Sequence, residues 1–212
     1  MKHTFAICVL LVSSSVCLAE KNTDISPTMA KPGKVLLSDS FDKAELGKVW
    51  AGVKGEWKVK DGAIVARELK ADEHAAVLTC KVKNRDSIVR FSFKLEGSTN
   101  GFNFSLNHAK GHLFRVIVTP SGLTVRTDKD KKDTSIKSEL IAQANAKFEK
   151  GKWYTLQVEM VGDTVVAITD NGLKVSGQHP RLDTEKPNYR FVMKGETLSI
   201  DDLKIWSAEW VA

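Results

Sequence analysis

Polar side chains that alternate with apolar ones carry most of the chemistry open to this sequence. Arg90, Ser92 and Lys94 alternate with Val89, Phe91, Phe93 and Leu95. Asn103, Ser105 and Asn107 alternate with Phe102, Phe104 and Leu106; His112 and Arg115 follow a turn that begins at His108. If these three segments are neighbouring strands, their outward side chains form one donor-rich patch. Asn and Arg suit hydroxyl and carboxylate acceptors. Arg90, Asn103, Asn107, His108 and Arg115 are therefore the candidate binding residues. A solvated sheet face is the alternative, because antiparallel sheets commonly turn one face to water. Trp153 shares the polar parity of Thr155, Gln157 and Glu159. There it either offers a flat platform to a ligand ring or packs under a loop.

Other constellations are weaker. His108 and His112 stand four apart, a metal-ligand spacing on a helix. Here Ala109-Lys110-Gly111 makes a turn between them, so the spacing loses that meaning. Asp201-Asp202 sits where the apolar parity changes from Leu198 and Ile200 to Leu203 and Ile205. A β-bulge makes such a change by inserting one residue. Carboxylates at that kink either cap backbone amides or hold a cation, and hard oxygen ligands suit a structural calcium. No other cofactor is indicated. There is no phosphate loop, nucleophile elbow or dinucleotide fingerprint.

The elements that must position these groups are strands. Period-two runs occupy residues 35–41, 57–59, 63–65, 88–95, 102–106, 112–119, 123–127, 153–161, 164–169, 173–175, 189–193 and 197–206. Lys60-Asp61-Gly62 is a hairpin signal, because Asp-Gly tolerates positive φ. Residues 138–148 read as one short peripheral helix behind the charged loop 128–137. This spacing of strands belongs to an all-β sandwich or barrel. The chain of 212 residues, with nine Phe and five Trp, suffices for one core.

Residues 1–19 read as a signal peptide: Lys2 and His3, the apolar run 5–12, then small residues before a cut after Ala19. That run is well short of the ~20 residues that span a bilayer. The expected product is exported, periplasmic or secreted, with no membrane insertion. Residues 20–33 read as a flexible leader and residues 34–212 as a single sandwich domain. Cleavage removes Cys8 and Cys17, leaving Cys80 in an apolar stretch as a buried strand cysteine. The formal net charge is +6, but the lysines are scattered or mixed with acids, as in residues 128–133. That pattern argues against nucleic acid and for an anionic polymer as partner.

The segments Leu37-Ser38-Asp39-Ser40-Phe41-Asp42, Trp50, residues 55–63, Gly151-Lys152-Trp153-Tyr154, Asp170-Asn171-Gly172 and residues 200–206 resemble, in order, a concanavalin A-like β-sandwich, or jelly roll. The nearest resemblance is to the exported bacterial 3-keto-disaccharide hydrolase domains. It implies two antiparallel sheets, one concave, and a carbohydrate ligand, possible anionic polysaccharides included. Fold alone does not grant function. The paired carboxylates of laminarinase-type members, Glu-x-Asp-x-x-Glu on one strand, are absent. Retaining glycoside hydrolysis needs such a pair about 5–5.5 Å apart. A non-catalytic glycan-binding protein is thus the first expectation. The alternative is an enzyme that cleaves 3-keto-glycosides by base-assisted elimination, with His108 or His112 as base and Arg90 or Arg115 as stabiliser. A structural or protein-binding module is the third.

Overall fold

A computed structural model describes residues 21, 24–130 and 132–211. The signal peptide read at 1–19 lies outside the described residues. Fifteen strands occur among the described residues: β1 (Ala30–Asp39), β2 (Trp50–Lys54), β3 (Glu56–Lys60), β4 (Ala63–Arg67), β5 (Ala76–Cys80), β6 (Ser87–Leu95), β7 (Phe102–His108), β8 (Gly111–Thr119), β9 (Gly122–Thr127), β10 (Leu140–Asn145), β11 (Trp153–Val161), β12 (Thr164–Thr169), β13 (Lys174–Gln178), β14 (Tyr189–Met193) and β15 (Glu196–Trp210). They form two antiparallel sheets. One has eight strands in the order β13-β12-β11-β6-β15-β4-β3, with β1 added to β15. The other has seven in the order β10-β9-β8-β7-β14-β5-β2.

The sandwich expected from the alternation is the observed fold. Each run turns its apolar parity inward: Phe91 and Phe93 from β6 meet Phe102, Phe104 and Phe191 from the facing sheet. Ring centroids of Phe91 and Phe191 are 5.0 Å apart and edge-on, the arrangement aromatic quadrupoles favour. The hairpin at Asp61-Gly62 has both residues at positive φ, 52° and 71°, as a two-residue turn of primed type requires. The bulge expected in the last strand is present. Asp201 pairs with Ser92 and Lys204 with Arg90, so β15 carries one residue more than β6 there.

Two expectations are corrected. The helix read at 138–148 is absent; β10 occupies Leu140–Asn145 and pairs with β9. Its alanines favour helix, but Ile141, Ala142 and Ala144 pack against the core. Tertiary burial outweighs that weak preference. Nor are residues 24–33 a loose leader. Strand β1 begins at Ala30, and Ile25 and Met29 pack on Val166 and Ile168, which face outward from β12. The buried Glu159 carboxylate accepts the amides of Thr28 (2.9 Å), Met29 (2.7 Å) and Ala30 (2.9 Å). The segment thus covers apolar side chains and satisfies a buried charge at once.

Replacing Glu159 with Ala should therefore release this segment. Hydrogen exchange at the amides of residues 28–30 should accelerate, and chemical denaturation should show a loss of about 1.5–3 kcal/mol. Unchanged exchange at these amides would show that another contact holds the segment.

Candidate functional site

The outer face of the seven-stranded sheet gathers polar side chains into registered rows. Antiparallel pairing aligns Thr79, Arg190, Ser105, Arg115 and Arg126 across β5, β14, β7, β8 and β9. The next row holds Val77, Val192, Asn103, Ile117 and Thr124. Rows on one face lie about 7 Å apart, two residues of strand rise. Over the second row opens a cleft of ≈ 420 Å³ whose lining includes Asn103, Ile117, Val192, Thr119, Asn100 and Lys194. Gly101 at its edge has φ 129°, and a Cβ there would lie 2.2 Å from the Val118 carbonyl oxygen. Only glycine lets the loop approach β8 so closely.

Beyond the first row, at the end where β9 runs out, lies a cluster of buried polar groups. Asp128 is 5% exposed and pairs with the Arg115 guanidinium. Arg181, from a short 3₁₀ turn at Pro180–Leu182, donates through Nη1 to the Asp128 carbonyl at 2.7 Å. Four buried atoms here have no hydrogen-bond partner among the described residues: Asp128 Oδ2, Arg115 Nε, Arg181 Nη2 and His108 Nε2. Unsatisfied buried polar atoms are costly. Four in one locality concentrate that cost beneath the outer face of β8 and β9.

A hydrogen-bond chain orients His112. The Asn107 amide nitrogen donates to Asn188 Oδ1 at 3.1 Å, so Asn107 Oδ1 is left to accept from His112 Nδ1 at 3.0 Å. Arg190 Nη1 lies 3.3 Å from the same Nδ1. The Asn107 contact needs a proton on Nδ1, whereas the Arg190 guanidinium, which only donates, needs a lone pair there, so the two contacts alternate with the imidazole tautomer. The Arg190 guanidinium is held below its ordinary pKa, first by burial and then by Arg115, with Asp128 partly opposing both.

The six expected ligand-binding residues divide between the two faces. Asn103, Asn107, His108 and Arg115 belong to β7 and β8 of the seven-stranded sheet. Arg90 and Trp153 belong to β6 and β11 of the other sheet, so Arg90 does not join the patch expected with Asn103, Asn107, His108 and Arg115. The chain crosses between sheets after β6. Arg90 instead donates to Gln157 Oε1 at 2.9 Å and to the Ile25 carbonyl beneath the N-terminal segment. Over the Trp153 ring lie the ammonium groups of Lys21 (4.7 Å) and Lys94 (5.3 Å), a cation–π arrangement where a ligand ring was considered.

Asp201 and Asp202 do cap an amide and hold a cation. Asp201 Oδ1 accepts the Asp202 amide at 2.6 Å. The cation is the Lys21 ammonium, paired with Asp201 and 3.3 Å from Asp202 Oδ2. Among the described residues no three or more His, Cys, Asp or Glu side chains come together as metal ligands would. Cys80 is buried in β5, and burial pushes its thiol up to about 12.

Sequence reading missed Arg126, Asp128, Arg181, Asn188 and Arg190. The parity of Arg126 and Arg190 was readable, since each alternates with apolar neighbours. Their adjacency was not, because β14 inserts between β7 and β5 from far along the chain.

The family model of the 3-keto-alpha-glucoside-1,2-lyase-like domain matches residues 37–200. No curated protein sequence matches the chain. Among solved structures, the carbohydrate-binding module CBM66 from Bacillus subtilis is similar at TM-score 0.61 and 14% identity, covering 75% of this chain and 96% of that one. A Bacillus subtilis protein with a galectin-like fold gives 0.64 and 14%, covering 86% and 100%. LamA from Z. galactanivorans, in complex with laminaritriose and laminaritetraose, gives 0.62 and 11%, covering 84% and 100%. At these identities the likeness establishes the concanavalin A-like fold.

Two outcomes follow from this geometry. Arg115→Met should cost about 2 kcal/mol in chemical denaturation, between the values for exposed and fully buried pairs. Adding Asp128→Leu should recover part of that loss, and a purely additive double variant would show that the pair is not coupled. Cys80 should stay protonated at every pH below about 12. It should therefore resist Ellman's reagent at pH 8 in the native protein and react once unfolded; fast native labelling would contradict its burial.

Proposed function

We propose that this chain, which belongs to the 3-keto-alpha-glucoside-1,2-lyase-like domain family, binds a glycan on the outer face of its seven-stranded sheet. The observation that carries this reading is the registered row of donors beside the cleft lined by Asn103, Ile117 and Val192. Sugar hydroxyls both donate and accept. They suit the Asn103 amide and the guanidinium groups of Arg190 and Arg115. The two rows about 7 Å apart would each face one ring of a two-ring ligand, with the second ring over Ile117 and Val192. The fold neighbours include a carbohydrate-binding module and a protein crystallised with laminaritriose and laminaritetraose, which supports the ligand class. Export through residues 1–19 belongs to the same reading, as it would bring the protein to extracellular polysaccharide.

A second reading rests on the imidazole of His112 between Asn107 and Arg190. In the tautomer that bonds Asn107, Nε2 carries the lone pair of a general base. In a 3-keto-glycoside the carbonyl acidifies the C2 hydrogen. A base takes that proton, the electron pair forms an enolate on the 3-oxygen, and the pair then expels the anomeric substituent as the C1–C2 double bond forms. Arg190 or Arg115 would stabilise the enolate oxygen.

A glycan array separates the readings. The protein should give a selective signal that falls at least about tenfold with Asn103→Ala or Arg115→Ala, a loss of roughly 1.4 kcal/mol. The same signal should persist with Trp153→Ala, which lies on the other sheet. Equal loss in all three variants, or no signal with any glycan, would overturn the binding face. Cleavage of a 3-keto-disaccharide that disappears with His112→Ala would establish the enzyme instead.

A further inference from the structure

We propose that the glycan is acidic and that its uronate carboxylate is held by the arginine row; this inference rests on the sugar-binding reading above. The row places Arg190, Arg115 and Arg126 on one face in direct register, with Ser105 between the first two. Three guanidinium groups therefore line a strip only four strands wide, and Arg181 adds a fourth at its rim. The acids around them are few and already engaged. Asp128 pairs with Arg115. Asp130 Oδ1 accepts the amides of Lys132 (2.7 Å) and Asp133 (3.2 Å). Glu139 lies 3.5 Å from His179. Among the described residues, no ion pair reaches Arg126 or Arg190.

Arg126 makes a neutral hydrogen bond from Nε to Ser138 Oγ at 2.8 Å. Arg190 is partly buried, and its Nη1 lies against the His112 imidazole. Asp128 is thus the one carboxylate that acts on both Arg115 and Arg190, and a further anion would add favourable charge to the row. Ser105 between them is buried, so an anion would sit above it, against the outer N–H edges of Arg190 and Arg115. A carboxylate matches such edges through paired N–H···O bonds. Asn103, in the next row and lining the cleft, would read a neighbouring hydroxyl with its amide. An anion-selective face also agrees with the net charge of +6, which would raise encounter rates with a polyanion.

The test is calorimetric titration of the purified protein with oligosaccharides of galacturonate, glucuronate and mannuronate, each beside its methyl ester and beside a sulfated neutral trisaccharide. At low salt at least one acid form should bind about tenfold or more tighter than its own ester. The gap should narrow as salt shortens the reach of charge. Arg190→Gln and Arg126→Gln should each close most of the gap while keeping the native melting temperature within a few degrees. Arg126 is half-exposed, so its variant remains informative if Arg190→Gln folds poorly. Equal binding of acid and ester would overturn the inference and leave the sugar-binding reading standing. Tighter binding of the sulfated sugar would overturn the carboxylate assignment. Binding of no sugar, charged or neutral, would overturn both.

Discussion

The packing of Phe91 edge-on against Phe191 and tilted against Phe104 is the contact on which the rest of the molecule depends. It joins the two sheets at their centres, because β6 lies mid-sheet on one side and β7 and β14 mid-sheet on the other. Once those rings point inward, strand geometry leaves no freedom for their neighbours. Asn103, Ser105 and Arg190 must point outward, since side chains alternate along a strand. A one-residue slip in β14 would bury Arg190 and expose Phe191. The polar rows are in this sense a by-product of the aromatic core, and the ladder sets their alignment to within one residue.

That dependence explains what the sequence made legible. Alternation revealed the strands, the sandwich class and the bulge at Asp201-Asp202, because each is a local consequence of parity. The helix expected at 138–148 failed for a non-local reason: Ile141 and Ala144 meet a core that no local pattern announces. The same limit applies to the site. Asn103, Asn107 and Arg115 were readable as outward donors on adjoining segments. Arg90 looked like their companion because it precedes them closely in sequence, yet the chain changes sheets between Leu95 and Phe102. Arg190 looked unrelated because some eighty residues separate it from the strand it pairs with.

The two outer faces solve opposite problems. On the eight-stranded sheet every strong polar group near the centre finds a partner inside the protein. Glu159 takes three amides, Arg90 takes Gln157 and Ile25, and Lys21 takes Asp201 and Asp202. On the seven-stranded sheet, Asp128, Arg115, Arg181 and His108 each keep a buried atom unpartnered among the described residues. At the end of β12 the other sheet keeps one such atom as well, Asp170 Oδ1. Each of these atoms carries a folding cost, and most of that cost falls around Asp128.

The pairing of Ala30 with Trp210 brings the entry and exit of the described chain to one corner of the eight-stranded sheet. Both ends therefore leave on the side away from the arginine row. Grafted into a surface loop of another protein, the sandwich would hang from that corner with its polar rows turned outward. Attachment at that corner would leave the whole outer face of the seven-stranded sheet unobstructed.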